Sequence, residues 1–285
     1  MESSGRHSVS VAARDSLEGR ARAVRGLLGS CALCARRCGV DRLSGELGYC
    51  GLGADAHCFR EILHYGVELE LAPAHAVYLA GCNMRCAFCT AEDWNARPGT
   101  AAPLDAAAMA GRVEARRREG ARTLMFVGGE PTVSLPAVLD LLARLPDVPT
   151  VVWDSNMYMT PAAMDLLTGV VDVYVADLKF GNDGCAEALA DAPDYLAVVR
   201  DNLLRAEQTA SLIVRHLLLP GHFDCCFRPA LDWLVASLKA PRLALKGEYM
   251  PPQPANSRAP ARYISEEEFE RARELAQRAG VELVE

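Results

Sequence analysis

The stretch GCNMRCAFCT, residues 81–90, places Cys82, Cys86 and Cys89 at the spacing C-x3-C-x2-C. It directly follows a strand-like apolar run, HAVYLAG from His75. So short a spacing lets one loop wrap one face of a cubic iron–sulfur cluster, whose usual ligands are four thiolates. With three thiolates, one iron stays open to a substrate or cofactor. The competing reading is a zinc site completed by His75 or Cys58. Structural zinc sites favour paired C-x2-C units, which weighs against it.

Outward from this loop the texture is regular. Five further apolar runs follow: TLMFVGG from Thr123, TVVWDSN from Thr150, VDVYVADLK from Val171, SLIVRHLLLPG from Ser211 and RLALKGEYM from Arg242. Amphipathic segments lie between them, such as LDAAAMAGRVEARRREG from Leu104 and DYLAVVRDNLLRAEQ from Asp194. The last, SEEEFERARELAQRAG from Ser265, opens with a capping signature of Ser followed by Glu. Near-continuous apolar strands are expected where helices cover both faces of a sheet. Six strand–helix units in series predict a parallel α/β sheet, open or curled into a barrel.

Upstream the reading is different. Residues 1–15 are polar and expected to be disordered. Residues 16–28, SLEGRARAVRGLL, predict a short helix capped by Ser16. Residues 30–70 show little periodicity. The chain is therefore expected to divide into a tail, helix and Cys-rich metal-binding region (1–70) and a parallel α/β region, open or barrel-like, with a C-terminal loop and helix (71–285). Residues 251–263, PPQPANSRAPARY, predict a long loop.

Polar and reactive residues gather where the apolar runs end. GCNMRC follows the first run, GGEPT the second, DSN the third, DLK the fourth and PGHFDCC the fifth. In parallel α/β barrels the C-terminal ends of the strands form the active-site face. Turn formation alone explains one or two such loops. Five, with Lys179 and paired cysteines among them, point to a site.

Bulk composition narrows the function classes. The chain has 285 residues, of which 51% are hydrophobic, enough for one large core. A formal net charge of −7 leaves no electrostatic footprint for nucleic acid, and no such partner is expected. No apolar run approaches membrane-spanning length, and the N-terminus lacks the apolar core of a signal peptide. The expectation is a soluble, cytoplasmic protein with no membrane partner. Eleven cysteines in a chain that is neither short nor loop-rich argue for metal or redox chemistry in a reducing compartment. Seven of the eleven fall in two clusters before residue 90.

The C-x3-C-x2-C spacing, with Phe88 just before the last cysteine, resembles the signature of the radical S-adenosylmethionine (SAM) enzymes. GGEP at Gly128, Gly129, Glu130 and Pro131 looks like the segment that holds the SAM amino group in that family. DRLSGELGYCG, DVYVADLKFGND and LPGHFDCCFRPALDWL resemble the pyruvate formate-lyase activating enzyme subgroup with an N-terminal cysteine cluster. The resemblance implies a partial (β/α)6 TIM-like barrel. It implies a 4Fe-4S cluster on Cys82, Cys86 and Cys89 whose open iron chelates SAM. One electron then gives a 5′-deoxyadenosyl radical that abstracts a hydrogen from substrate. A donor such as flavodoxin or ferredoxin would supply the electron.

Physical chemistry assigns roles within that frame. Gly128 and Gly129 permit close approach to a ligand, and Glu130 can accept from the SAM ammonium. Asp154, Asn156, Asp177 and Lys179 are similar to the family's SAM-contacting strand-end residues, and Arg215 can pair with a carboxylate. Asp177 and Lys179 share a strand face, which also fits a simple salt bridge. Cys225 and Cys226 read either as hydrogen donors, like the thiol of radical epimerases, or as small hydrophobes at a helix start. His222 reads as a ligand contact or a solvated loop residue, and His216 as core. Met157, Tyr158 and Met159 read as pocket lining or packing.

Cys31, Cys34, Cys38 and Cys50 form a second set, C-x2-C-x3-C-x11-C. It fits a closed zinc site or an auxiliary iron–sulfur cluster. Metal binding would stabilise a region with little apolar periodicity, and Arg36 and Arg37 would favour its thiolates. TAEDWNARPG after Cys89 and LALKGEYMPPQPA depart from the residues usual in the resembled subgroup, which implies a shifted substrate. Three functions remain open: hydrogen abstraction from a small molecule or peptide, activation of a glycyl radical protein, and a non-catalytic zinc-binding interaction module. The last gives GGEP no task.

Overall fold

Each of the six apolar runs is a strand, and all six lie side by side in chain order. A computed structural model describes residues 11–66, 68–253 and 256–285. Its strands are β1 (His57–His64), β2 (Ala74–Leu79), β3 (Ala102–Pro103), β4 (Thr123–Gly128), β5 (Thr150–Ser155), β6 (Val173–Asp177), β7 (Ser211–Leu217), β8 (Arg242–Lys246) and β9 (Glu282–Leu283). Its α-helices are α1 (Val11–Gly26), α2 (Glu92–Ala96), α3 (Ala106–Arg118), α4 (Leu135–Arg144), α5 (Pro161–Leu167), α6 (Asp183–Ala190), α7 (Tyr195–Thr209), α8 (Arg228–Ser237) and α9 (Glu266–Arg278). One sheet runs in the order β3-β1-β2-β4-β5-β6-β7-β8-β9. From β2 to β9 every pairing is parallel, while β1 runs antiparallel to β2 and β3. The fold is a partial TIM-like barrel, open between its two edge strands.

The side-chain period of two divides the strands between two cores. Val77, Phe126, Trp153, Tyr174, Val214 and Leu243 face outward into the core shared with the helices. Ala76, Met125, Val152, Val175, Ile213 and Ala244 form the inner layer, one residue per strand. Two residues further along, the same inner face carries Tyr78, Val127, Asp154, Asp177, Arg215 and Lys246. The barrel interior thus turns from apolar to charged toward the C-terminal strand ends. α4 fixes the outer layer by burying Leu135, Val138, Leu139, Leu141 and Leu142, each worth about 1.5–3 kcal/mol. Helix starts follow local chemistry: Asp105 caps α3, and Ser265 with Glu268 forms a full capping box at α9.

Two expectations need correction. The first helix begins at Val11, so Ser16 lies inside it rather than at its cap. The helix formers Ala12, Ala13 and Arg14 carry it upstream; of the tail expected over residues 1–15, residues 11–15 belong to this helix and residues 1–10 lie outside the described residues. The division at residue 70 does not coincide with a break in the sheet, because β1 pairs with β2 over six positions. β1 escapes notice because it is half-buried on both faces and so carries no alternation. Among the described residues no helix is long and apolar enough to cross a membrane.

Candidate active site at the strand ends

The Cys loop leaves β2 and the GGEP loop leaves β4, and the backbone locks the two together. Gly129 N donates to Leu79 O at 2.7 Å, and Glu130 N to Gly81 O at 3.0 Å. A Cβ on Gly129 would stand 2.1 Å from Gly81 O and 2.2 Å from the Asn95 side chain. Gly128 adopts φ +120°, which side-chain-bearing residues rarely do. The glycines expected to admit a ligand therefore also admit the neighbouring chain.

A cavity of about 190 Å³ opens above these loops. Cys82, Cys86 and Cys89 line it, together with Gly128, Gly129, Asp154, Asn156, Asp177 and Lys179. Burial holds the Cys82 thiol well above its usual range, with the neighbouring Cys86 and Glu130 adding to the effect. Burial pushes Cys86 up to about 11, against the opposing pull of Lys179. Such thiols ionise readily only against a cation, which fits a metal-bound set. N–H groups also face the sulfurs. Asn95 Nδ2 donates to Cys89 Sγ at 3.3 Å, and Met84 N to Cys82 Sγ at 3.4 Å. The alternative ligands are engaged elsewhere: His75 Nε2 meets Glu61 at 2.9 Å, and Cys58 Sγ donates to Arg60 O.

The strand-end acids are all partnered. Lys179 Nζ lies 2.5 Å from Asp177 Oδ2. Burial would lower the lysine, but Asp177 and Cys86 outweigh it and hold Lys179 above its ordinary value. Arg215 Nη1 donates to Asp154 at 2.8 Å, and its Nε and Nη2 clamp Glu68 at 3.0–3.2 Å. Burial pushes Asp154 up to about 6, against the pull of Arg215. Lys246 Nζ adds a third cation 3.5 Å from Glu68. Arg215 is thus turned toward protein carboxylates.

Glu130 is tied into the protein. Its buried carboxylate accepts from Thr132 N (3.1 Å), Thr132 Oγ1 (2.5 Å), Ser155 Oγ (2.8 Å) and Asn156 N (2.9 Å). Four donors from two strand-end loops leave it staged as their tie. Asn156 extends the network, giving Nδ2 to Asn83 Oδ1 at 2.8 Å, and Asn83 Nδ2 reaches Tyr158 O at 2.7 Å. Pro131 opens the buried turn behind Glu130. Met157, Tyr158 and Met159 are buried in the outer core. So is His216, whose Nδ1 meets Leu178 O at 2.6 Å.

The N-terminal cysteines converge beside this site. Cys31, Cys34 and Cys50 are buried and Cys38 is exposed. Burial pushes Cys34 up to about 12, and the three other thiols raise it further. The cation near them is Arg42, whose Nη1 lies 3.9 Å from Cys31 Sγ. The Arg36 side chain instead holds Asn83 O at 2.9 Å and stacks over Tyr49, so it braces the Cys loop, while the Arg36 backbone N–H favours the Cys34 thiolate. Sequence reasoning passed over Glu68, which lies outside any short motif, and over Asn83, Asn95 and Arg42, which sit in quoted stretches but whose partners only the fold supplies.

Cys225 and Cys226 do not line the cavity. They stand with Cys185 and His222, all four ligand atoms within 4.8 Å of one another.

Comparisons with known proteins agree with this geometry. Residues 77–234 match the model of the Radical SAM superfamily. The uncharacterized protein MJ0674 of Methanocaldococcus jannaschii is 34% identical over 266 residues, spanning 90% of this chain and 76% of that protein. Streptococcus suis SuiB, solved with its precursor peptide SuiA, is similar in fold with a TM-score of 0.52 and 10% identity. That match covers 71% of this chain and 46% of SuiB, so the chain spans about half the length of that structure. HydG, a maturase of the FeFe hydrogenase, gives a TM-score of 0.50 at 11% identity over 95% of this chain and 67% of its own.

Proposed function

Because this chain belongs to the radical SAM superfamily of enzymes, we propose that it cleaves SAM at the strand-end cavity and abstracts a hydrogen from a substrate held at the same face. The observation that carries the reading is the convergence of Cys82, Cys86 and Cys89 with Asp154, Asn156, Asp177 and Lys179 on one cavity. The three thiolates would hold a 4Fe-4S cluster, which when bound supplies the single electron for reductive SAM cleavage.

The chain's own residues bind, orient and tune. Lys179 presents an ammonium for the SAM carboxylate, and Asp177 fixes its direction. Asp154, anchored by Arg215, faces the cavity as an acceptor for SAM hydroxyl or ammonium groups. Glu130 shapes the GGEP turn, so that backbone rather than its carboxylate meets the ligand. Asn95 and Met84 direct N–H groups at two of the sulfurs. Phe88 and Leu217 complete the wall and exclude water. An external one-electron donor is required. The substrate is a small molecule or peptide.

Anaerobic reconstitution with iron and sulfide, followed by reductant and SAM, tests the reading. 5′-Deoxyadenosine and methionine are expected from the wild type and not from Cys86→Ala. An iron-loaded wild type that leaves SAM intact overturns it.

A further inference from the structure

Four side chains outside the cavity make a second centre. Cys185 opens α6 behind β6, while His222, Cys225 and Cys226 follow β7. Their ligand atoms form a compact set. Cys185 Sγ lies 3.9 Å from Cys225 Sγ, and Cys225 Sγ 3.9 Å from Cys226 Sγ. His222 Nδ1 lies 3.7, 3.4 and 3.6 Å from the sulfurs of Cys185, Cys225 and Cys226. Tetrahedral zinc, with Zn–S about 2.3 Å and Zn–N about 2.0 Å, demands S···S edges of about 3.8 Å and S···N edges of about 3.5 Å. These five edges match those of one four-coordinate ion, and the sixth, between the sulfurs of Cys185 and Cys226, is within 4.8 Å. Thiolates on the separate irons of a cube must stand further apart than this.

We propose that Cys185, His222, Cys225 and Cys226 form a Cys3His zinc site that clamps the loop after β6 to the loop after β7.

Three thiolates and an imidazole are soft and borderline donors that select zinc over magnesium or calcium. The four protein ligands fill the tetrahedron, so the centre is closed and structural. The backbone is built for it. Phe223–Phe227 winds as a π-turn, with Cys226 N and Phe227 N both bonded to His222 O. This wider turn brings His222, Cys225 and Cys226 to one point; such turns recur at functional sites. Asn182 supplies the outer shell. Its Nδ2 donates to Cys185 Sγ at 3.2 Å and to Cys225 O at 2.7 Å, and its Oδ1 accepts from Cys185 N at 2.7 Å. Gly181 lets the loops touch: a Cβ there would stand 2.3 Å from Cys226 O. Each thiol releases its proton when the ion binds. The β6 loop that is clamped also carries Lys179, so the ion restrains one wall of the cavity. The assignment gives Cys225 and Cys226 a holding role in place of hydrogen donation, and it stands independently of SAM cleavage.

The test uses the full chain purified without air. Crystals measured at the zinc absorption edge should show an anomalous peak centred among the four ligands; this needs no variant. Elemental analysis should show that Cys185→Ser and Cys226→Ser each lose about one zinc per chain relative to wild type, while His222→Cys keeps it. Zinc held by the Cys31–Cys50 group survives these changes, so the difference rather than the total reads this centre. Unchanged zinc in both serine variants, no peak at the four ligands, or a Cys185–Cys225 disulfide in its place overturns the proposal.

Discussion

Asn95, from the short helix after the Cys loop, donates Nδ2 to Cys89 Sγ at 3.3 Å. An N–H aimed at a ligating sulfur withdraws electron density and raises the potential of the centre it serves. Asn95→Ala should therefore shift the reduction potential of the reconstituted cluster downward and lower SAM cleavage roughly 10- to 100-fold, the usual cost of losing an outer-shell partner. A redox titration followed by electron paramagnetic resonance checks it. A potential that does not move would show that Asn95 merely packs.

Lys179 pairs with Asp177 at 2.5 Å while lining the cavity. If the ammonium meets the SAM carboxylate, Lys179→Met should weaken SAM binding roughly 10- to 100-fold, the worth of one charge-assisted hydrogen bond. Equilibrium dialysis of the iron-loaded variant measures it. SAM bound as tightly as by wild type would reduce Lys179 to a partner of Asp177.

Arg215 joins two carboxylates, Asp154 and Glu68, inside the barrel. Removing the shared cation leaves Glu68 buried against Lys246 alone and takes from Asp154 the cation that holds it. Arg215→Met should destabilise the fold by about 3–5 kcal/mol. Adding Glu68→Gln to that variant should recover part of the loss, because one orphaned charge is removed. Urea denaturation of both proteins decides; additive losses would contradict the pairing.

The six parallel strands were legible because helices bury their outer face and the barrel's own inner layer buries the other, which makes each strand a dense apolar run. β1 was not, since a strand half-exposed on both faces carries neither a run nor an alternation. The site divides the same way. Cys82, Cys86, Cys89 and GGEP are local motifs, and their chemistry is written in adjacent residues. Glu68 reaches Arg215 across 147 residues, and Cys185 meets Cys225 across 40. Only the fold brings such partners together, and no periodicity records them. Residue type was readable where orientation was not: Glu130 was identified, but its four donors were not foreseen.

His216 is buried, and burial holds its imidazole down to about 4, against the pull of Leu178 O and Asp177. In the unfolded chain a histidine titrates near 6.5. Between those values the unfolded chain binds more protons than the folded one. The contribution of neutral His216 is thus complete above about pH 6.5 and lost as pH falls toward 4, about 3 kcal/mol in all. Denaturation midpoints of wild type should fall between pH 7 and 5 more steeply than those of His216→Asn. Parallel pH profiles would contradict the burial of a neutral ring.

Gly129 is where the two signature loops touch, with Gly81 O and the Asn95 side chain both inside the space a methyl group needs. Gly129→Ala must push the Cys loop away from the GGEP loop, since the nearest obstacle is backbone and cannot rotate aside. The variant should fold with a lowered melting temperature and retain less iron after reconstitution than wild type. Gly120→Ala is the control: its φ of +103° is strained, but no atom lies within 4 Å of the added carbon. It should cost about 1 kcal/mol of stability and leave iron content unchanged. Iron retention lost equally in both variants would mean that stability alone, and not the fit of the two loops, governs assembly of the site.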